Sequence, residues 1–196
     1  MKANQDLLVM LVDVSGSMHY KIGFTLEACN AMLAQQVLPD RNCDVEVWKF
    51  NTEMQKLLEL QALTQDTTLS VSDIQCRGGT AMNDSICLLI DEVGRRLANM
   101  PEAQRPEKVI FAIQTDGEEN SSHMFSNADV KSRIEHQQAK YGWEFFFLGA
   151  DVDAFAIAGN YGIAESHTLS YKGTQESTVK TMGSLSRSLL QARVTK

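Results

Sequence analysis

Hydrophobic residues along the chain form short continuous runs that are typical of strands buried on both faces of a sheet. Three such runs stand out, at residues 7–12, 109–113 and 145–148. All three are rich in residues that favour strands, and they lack the alternation expected of a strand with one solvated face. The pattern therefore predicts three central strands.

Two further segments predict strands nearer the edges of the sheet. Residues 44–50 begin with alternating polar and apolar positions, and a short polar connection then leads into residues 53–60. This arrangement predicts a β-hairpin that adds an antiparallel edge strand. A last short strand is expected at residues 167–171.

Between the strands, apolar residues recur at the three- to four-residue spacing of amphipathic helices. A first stripe, which Pro39 ends, consists of Ile22, Leu26, Cys29, Leu33 and Val37. A second, closed by Pro101, consists of Ile86, Leu89, Ile90, Val93 and Leu97. Asn127 is expected to cap a third helix with Val130, Ile134 and Tyr141, and a C-terminal helix is expected with Val179, Met182, Leu185 and Leu189.

Strands that alternate with helices predict right-handed crossovers and a parallel sheet covered on both faces. We expect a three-layer, doubly wound, Rossmann-like α/β fold whose mostly parallel sheet has one antiparallel edge strand. We expect one domain over residues 1–196, with its core at about 7–171 and a C-terminal helix at about 174–192. Ligands of such folds bind at the carboxyl ends of the strands, which directs attention to the loops after residues 12, 113 and 148.

Composition and charge exclude several classes of partner. The formal net charge is -7, whereas surfaces that bind nucleic acid or anionic lipid need clustered Lys and Arg. No apolar run is long enough for a signal-peptide core or a membrane span. The four cysteines contain no CxxC pair, which predicts reduced thiols. Together these features predict a cytoplasmic protein that binds neither nucleic acid nor membrane.

Polar side chains with oxygen atoms follow two of the central strands and precede the second helix. Asp13, Ser15 and Ser17 alternate directly after the first strand, and Asp116 follows residues 109–113. Thr80 stands in a Gly-Gly-Thr loop before the second helix. Because neighbouring parallel strands end at the same edge, the two carboxylates are expected to lie close together. Such a pair is costly unless a cation lies between them.

The ligand types indicate which cation the site would hold. Carboxylate and hydroxyl oxygens suit Mg²⁺ or Mn²⁺, which prefer oxygen donors in octahedral geometry. The loops supply none of the His or Cys ligands that Zn²⁺ prefers. We therefore expect Mg²⁺, or Mn²⁺, as the bound ion.

The three loops together resemble the metal-ion-dependent adhesion site of von Willebrand factor A domains, of the compact bacterial or phage type. The resemblance implies that Ser15, Ser17 and Thr80 contact the metal through their hydroxyl groups, and that Asp13 and Asp116 do so directly or through water. It implies an open coordination position for an Asp or Glu of a partner protein. It also implies a role in a multiprotein assembly, for instance beside an ATPase of the AAA class.

Three other interpretations of the same residues are alternatives to a binding module. A Mg²⁺-dependent phosphohydrolase of the haloacid dehalogenase type also begins with a strand ending in Asp, but it needs Asp-x-Asp, and residue 15 is Ser. A serine hydrolase would need a Gly-x-Ser-x-Gly turn, which Ser15 lacks. A member of the fold that binds no ligand remains a further alternative. We expect no enzymatic activity and no catalytic residue.

Several residues near the predicted site have ordinary structural explanations. Glu118 and Glu119 are expected to serve the dipole of a helix start, and Asp151 and Asp153 to serve as helix caps. The exposed rim of the site is expected around Met18, His19 and Met82.

Overall fold

The computed structural model describes residues 1–72 and 74–195, and in these residues strands and helices alternate along the chain. The strands are β1 (Lys2–Asp13), β2 (Asn42–Phe50), β3 (Met54–Ala62), β4 (Pro106–Thr115), β5 (Glu144–Ala150) and β6 (Thr168–Tyr171). The α-helices are α1 (Ile22–Gln35), α2 (Met82–Ala98), α3 (Asn127–Tyr141), α4 (Ala154–Asn160) and α5 (Gln175–Val194).

The strands form one sheet in the order β3-β2-β1-β4-β5-β6 over the described ranges. β1 pairs in parallel with both β2 and β4, β4 pairs in parallel with β5, and β5 pairs in parallel with β6. β3 pairs antiparallel with β2 at one edge. The predicted fold class, a mostly parallel doubly wound sheet with one antiparallel edge strand, is therefore confirmed.

Both faces of the sheet are covered by helices, which explains the continuous apolar runs. Leu8 and Met10 of β1 lie in a core that includes buried residues of α1 and α5. Val9 and Leu11 point to the opposite face and lie in a second core with α2, α3 and α4. A strand buried on both faces needs apolar residues at successive positions, not at every second one.

The order of the strands places the loops after β1 and β4 beside one another. The chain proceeds from β1 to β2 and β3 on one side, and then returns to lay β4 on the other side of β1. In this register Leu11 pairs with Ile113 and Val12 with Gln114, so Asp13 and Thr115 end their strands side by side. Such a reversal leaves a crevice at the carboxyl edge of the sheet, where ligands of doubly wound folds bind.

Two helix predictions were wrong in detail. Ser126, not Asn127, caps α3: its side chain accepts from the Asp129 backbone N–H while the Asp129 carboxylate accepts from the Ser126 N–H. Tyr141 and Val179 are each 54% exposed, because they lie off the buried sides of α3 and α5. A three- to four-residue spacing identifies a stripe, but it does not show where the stripe leaves the core.

A buried ion cluster joins the C-terminal helix to the amino-terminal end of the sheet. Arg193 Nε of α5 and Arg41 Nε each lie 2.7 Å from Asp6 Oδ2 of β1. Arg193 also donates to the Gln36 carbonyl at the end of α1. α5 is therefore held to the sheet by charge-assisted hydrogen bonds as well as by apolar packing.

Across residues 1–72 and 74–195, none of the helices combines the length and the apolar character that a bilayer crossing requires.

Candidate metal centre

The first loop is folded around the carboxylate of Asp13 at the end of β1. The backbone N–H of Ser15 donates to Asp13 Oδ1 at 2.7 Å, and a 3₁₀ turn, Gly16–Tyr20, follows. This turn brings the hydroxyl oxygens of Ser15 and Ser17 to 3.2 Å from each other. The alternation read from the sequence thus corresponds to side chains that converge on one side of a tight loop.

The second loop contributes Asp116, which follows β4. The Ser17 hydroxyl donates to Asp116 Oδ1 at 2.5 Å, so the two loops contact each other directly across 99 positions of sequence. Asp13 is fully buried and Asp116 is 7% exposed. Two carboxylates therefore end adjacent strands in a region with little solvent.

The third loop contributes Thr80 and is held from both sides. On one side it pairs with the first loop. The Gly16 N–H donates to the Gly78 carbonyl, and the Arg77 N–H donates to the Val14 carbonyl, each at 3.1 Å. On the other side, Asn120 Oδ1 accepts from the Thr80 N–H at 2.9 Å.

Asn120 also donates its own backbone N–H to the Thr80 carbonyl at 3.1 Å. Thr80 is buried, so these contacts fix a hydroxyl group at the floor of the crevice.

Gly117 shows that oxygen atoms from all three loops surround one small region. A Cβ atom at this position would lie 3.1 Å from Thr80 Oγ1, and 3.9 Å from both Asp13 Oδ2 and Ser17 Oγ. Together with the contacts of Ser15 and Asp116, this places all five residues named from the sequence at one site. A side chain at position 117 would crowd it.

The arrangement is compatible with a divalent cation. In octahedral coordination at about 2.1 Å, neighbouring oxygen ligands lie about 3 Å apart, close to the separation of the two serine hydroxyls. Within the part of the chain that the structure describes, no group of three or more His, Cys, Asp or Glu side chains is placed to hold a metal. A cation at this site would depend on hydroxyl ligands in addition to the two carboxylates.

The electrostatics of the site are dominated by the buried Asp13. Burial raises the pKa of the Asp13 carboxyl, while hydrogen bonds from Thr115 and Ser15 act in the opposite direction. The nearby charge of Asp116 adds to the increase. A divalent cation would offset both the free-energy cost of desolvating these carboxylates and their mutual repulsion.

Two residues that contact the predicted ligands were missed by the sequence analysis. Thr115 Oγ1 donates to Asp13 Oδ2 at 2.6 Å. Lys21 Nζ lies 2.7 Å from Asp116 Oδ2 and 3.0 Å from Asp151 Oδ2. A lone lysine after a loop carries no sequence signal for such a contact.

Lys21 remains charged at neutral pH. Partial burial acts to lower the pKa of its ammonium group, but the hydrogen bonds to Asp116 and Asp151 outweigh this effect and raise it. A positive charge therefore lies beside the buried carboxylate of the second loop.

The neighbouring acidic residues have the structural roles expected of them in two cases. Glu119 accepts from the backbone of Ser121 and Ser122, and from the Asn83 N–H in the first turn of α2. Asp153 caps α4 by accepting from the Ala156 N–H. The carboxylate of Glu119 is therefore at a helix start, as predicted, but the helix is α2, which precedes Glu119 in the sequence.

The predicted rim was wrong for its two methionines. Met18 and Met82 are fully buried and pack in the two cores. His19 is exposed, as predicted, and so is the neighbouring Tyr20. The rings of His19 and Tyr20 meet edge to face with centroids 4.8 Å apart. Tyr20 is 90% exposed.

Searches by sequence find no match, neither to a protein-family model nor to a curated protein. Comparison of structures does find matches. Proximal thread matrix protein 1 from the mussel byssus, determined with a zinc-occupied adhesion-site motif, has 17% identity over 96% of this chain, with a TM-score of 0.63. The chain spans 46% of that protein, less than half of its length.

Two bacterial structures are similar at the same level. The domain of the type V pili tip protein Mfa5 from Porphyromonas gingivalis has a TM-score of 0.67 and 9% identity, over 98% of this chain and 97% of that one. A von Willebrand factor type A protein from Catenulispora acidiphila has a TM-score of 0.62 and 17% identity, over 93% of this chain and 42% of that one. At such low identity the likeness establishes the fold.

Proposed function

We propose that this chain, which has the fold of von Willebrand factor A domains, is a binding module that uses one divalent cation to bind an acidic side chain of a partner protein. The observation that carries the proposal is the convergence of oxygen atoms from three loops at the carboxyl edge of the sheet. The proposed ligands are Asp13, Ser15, Ser17, Thr80 and Asp116.

An acidic partner follows from the coordination of the proposed ion. The five proposed ligands occupy five of the six positions of an octahedral Mg²⁺ or Mn²⁺ ion, so one position is left for a further hard oxygen ligand. Ser17 is exposed, whereas Ser15 and Thr80 are buried, so the site is open to solvent on the side of Ser17. A cation bound there would attract an anionic ligand from that side, and the carboxylate of an Asp or Glu is the natural one in a protein partner.

We propose Mg²⁺ or Mn²⁺ as the physiological ion because every proposed ligand is a hard oxygen donor. The zinc in the mussel protein shows that a site of this kind can accept Zn²⁺ in that protein, so Zn²⁺ is the competitor to test. Titrating each ion separately by calorimetry measures the preference.

The proposed role is that of a component of a protein assembly, without enzymatic activity. A byssus matrix protein and a pili tip protein are among the structures of similar fold, which supports a role in assembly but not a particular partner. An ATPase of the AAA class remains one proposed partner. Residues 1–196 are proposed to act as one module.

The thiols support the proposed cytoplasmic location. All four cysteines are free, and Cys29, Cys43 and Cys87 are buried. Thiols without partners suit a reducing compartment.

The decisive experiment measures metal binding and partner capture in the same variants. Asp13→Ala and Thr80→Ala should lose cation binding and partner capture while the circular dichroism spectrum is unchanged, because Asp13 ends β1, Thr80 precedes α2, and neither belongs to the apolar cores. Ser70→Ala, which removes an exposed hydroxyl outside the site, is the matched control.

Chelator should reproduce the loss of capture in the wild-type protein. Equal capture by wild type in chelator and by both site variants would show that the partner binds another face. A metal-dependent phosphatase rate that disappears in Asp13→Asn would instead support the phosphohydrolase, although Ser15 occupies the position of its required acid.

A further inference from the structure

Lys21 is held at the junction between the first loop and α1. Its backbone N–H donates to the Met18 carbonyl at 2.8 Å, and its own carbonyl accepts from the Thr25 N–H at 3.0 Å. The side chain is 22% exposed and extends toward the metal centre. The backbone is thus fixed, while the long side chain retains freedom at its end.

Lys21 and Ser17 together satisfy the carboxylate of Asp116. Ser17 donates to Oδ1 at 2.5 Å, and Lys21 donates to Oδ2 at 2.7 Å. The ammonium group therefore supplies, from within the chain, positive charge at a carboxylate that is proposed to bind the cation. A divalent ion that binds Asp116 must displace this contact or tolerate a like charge next to it.

A second carboxylate, Asp151, can hold Lys21 without Asp116. Asp151 has a left-handed backbone with a φ of 57°, and its Oδ1 accepts from the Gly173 N–H at 3.0 Å. Its other oxygen, Oδ2, lies 3.0 Å from Lys21 Nζ.

Gly173 makes this approach possible. A Cβ atom there would lie 2.4 Å from Asp151 Oδ2 and 2.8 Å from Lys21 Cε. Asp151 is therefore fixed by the backbone and offers Lys21 a separate binding position.

We propose that Lys21 is a built-in counter-ion that competes with the divalent cation for Asp116 and transfers fully to Asp151 when the cation binds. This inference rests on the proposed metal site. The formal charges of Asp13, Asp116, Asp151 and Lys21 sum to -2, which a divalent ion neutralises. Lys21 stabilises the metal-free site and weakens cation binding, so it sets the cation concentration at which the site fills.

The test is a double-mutant cycle on the dissociation constants for Mg²⁺ and Mn²⁺, measured by calorimetry. Lys21→Met should bind both ions about tenfold more tightly, because a like charge near the cation is removed. Asp151→Asn should bind them several-fold more weakly, since Lys21 then remains on Asp116. In the Lys21→Met background, the Asp151→Asn change should have little effect. Lys172→Met is the control, because Lys172 is near Asp151 and adds a positive charge to the same region.

The outcomes separate this inference from the proposed function. If wild type and every variant fail to bind either ion, the proposed metal site is wrong. If the ions bind with the same affinity to wild type, Lys21→Met and Lys172→Met, the competition between Lys21 and the cation is disproved, whereas the metal site is supported. If Asp151→Asn weakens binding equally in both backgrounds, Asp151 acts by its charge alone and the transfer is disproved.

A folding defect would not prevent the test. If Lys21→Met does not fold without metal, Asp151→Asn retains the lysine and tests the same competition in the opposite direction. A lower melting temperature of metal-free Lys21→Met than of metal-free wild type is the supporting second readout.

Discussion

The hydroxyl of Thr115, the last residue of β4, donates to the carboxylate of Asp13, the last residue of β1, at 2.6 Å. Thr115 Oγ1 also accepts from the Gly117 N–H at 3.1 Å, so one hydroxyl ties the second loop to the first. Because Ser15 holds Asp13 Oδ1 through its backbone, both oxygens of this buried carboxylate are fixed. Thr115 is therefore a positioning residue of the proposed metal site.

Replacing Thr115 tests this role directly. Thr115→Val keeps the shape of the side chain but removes the hydrogen bond, so we expect about tenfold weaker binding of Mg²⁺ in a calorimetric titration, as for a lost hydrogen bond to a charged group. Thr115→Ser retains the hydroxyl and should bind Mg²⁺ as wild type does. Equal affinity in the Val variant would show that Asp13 needs no support from β4.

The protein should fold without its metal. Its two apolar cores lie on either side of the sheet and consist mostly of strand and helix residues, so chelator should leave the circular dichroism spectrum unchanged. Cation at a concentration 100 times its dissociation constant should raise the free energy of unfolding by about 2.7 kcal/mol. Urea denaturation with and without Mg²⁺ measures both quantities, and loss of structure in chelator would contradict this expectation.

Gly79 should be required for the third loop. A Cβ atom at this position would lie 2.0 Å from Ser121 Oγ and 2.7 Å from Asn120 Oδ1, the atom that holds Thr80. Gly79→Ala should therefore displace Thr80 and weaken Mg²⁺ binding at least about tenfold, the effect of losing one ligand contact of about 1.4 kcal/mol.

The matched control is Gly23→Ala in α1, where a Cβ atom would meet nothing within 4 Å. It should bind Mg²⁺ normally and be more stable by about 0.5–1 kcal/mol, because alanine favours a helix over glycine. If Gly23→Ala also bound Mg²⁺ weakly, the weaker binding of Gly79→Ala could not be ascribed to the third loop.

Arg193 should stabilise the fold without affecting the metal site. Arg193→Met removes one of two arginines that contact the buried Asp6, and we expect the free energy of unfolding to fall by about 3 kcal/mol. Arg187→Met, an exposed substitution on the same helix, should change it by less than about 0.5 kcal/mol. Urea denaturation gives the stabilities, and an altered Mg²⁺ affinity in Arg193→Met would reveal coupling between the two ends of the sheet.

Cys76 should be the first thiol to react with a thiol reagent. Burial raises the pKa of Cys29, Cys43 and Cys87 each to about 12, and these side chains lack exposure. Cys76 is partly exposed, although partial burial also raises its pKa. Native protein at pH 8 should show one labelled thiol in the first phase, which Cys76→Ser removes. Simultaneous labelling of all four would indicate an open core.

The spacing of apolar residues was sufficient to predict the fold because each face of this sheet is buried. The runs at 7–12, 109–113 and 145–148 lie in β1, β4 and β5, and the alternation at 44–50 lies in β2. A doubly wound arrangement then follows from the alternation of strands and helices, whatever the details of the loops. The ends of the helix stripes were less predictable, as Tyr141 and Val179 show, because exposure there depends on what packs nearby.

The amino-acid sequence was sufficient to predict the six strands, four of the five described α-helices and the fold class. It also named five residues that the structure brings together at one edge of the sheet, since each oxygen-bearing loop directly adjoins a predicted element. Which other residues reach that site is visible only in the three-dimensional structure. Thr115 contacts Asp13 across 102 positions, and Lys21 contacts Asp116 across 95 and Asp151 across 130. Contacts between residues so far apart in the sequence depend on the order of the strands in the sheet and on the direction of single side chains. Neither of these produces a periodic pattern in the sequence.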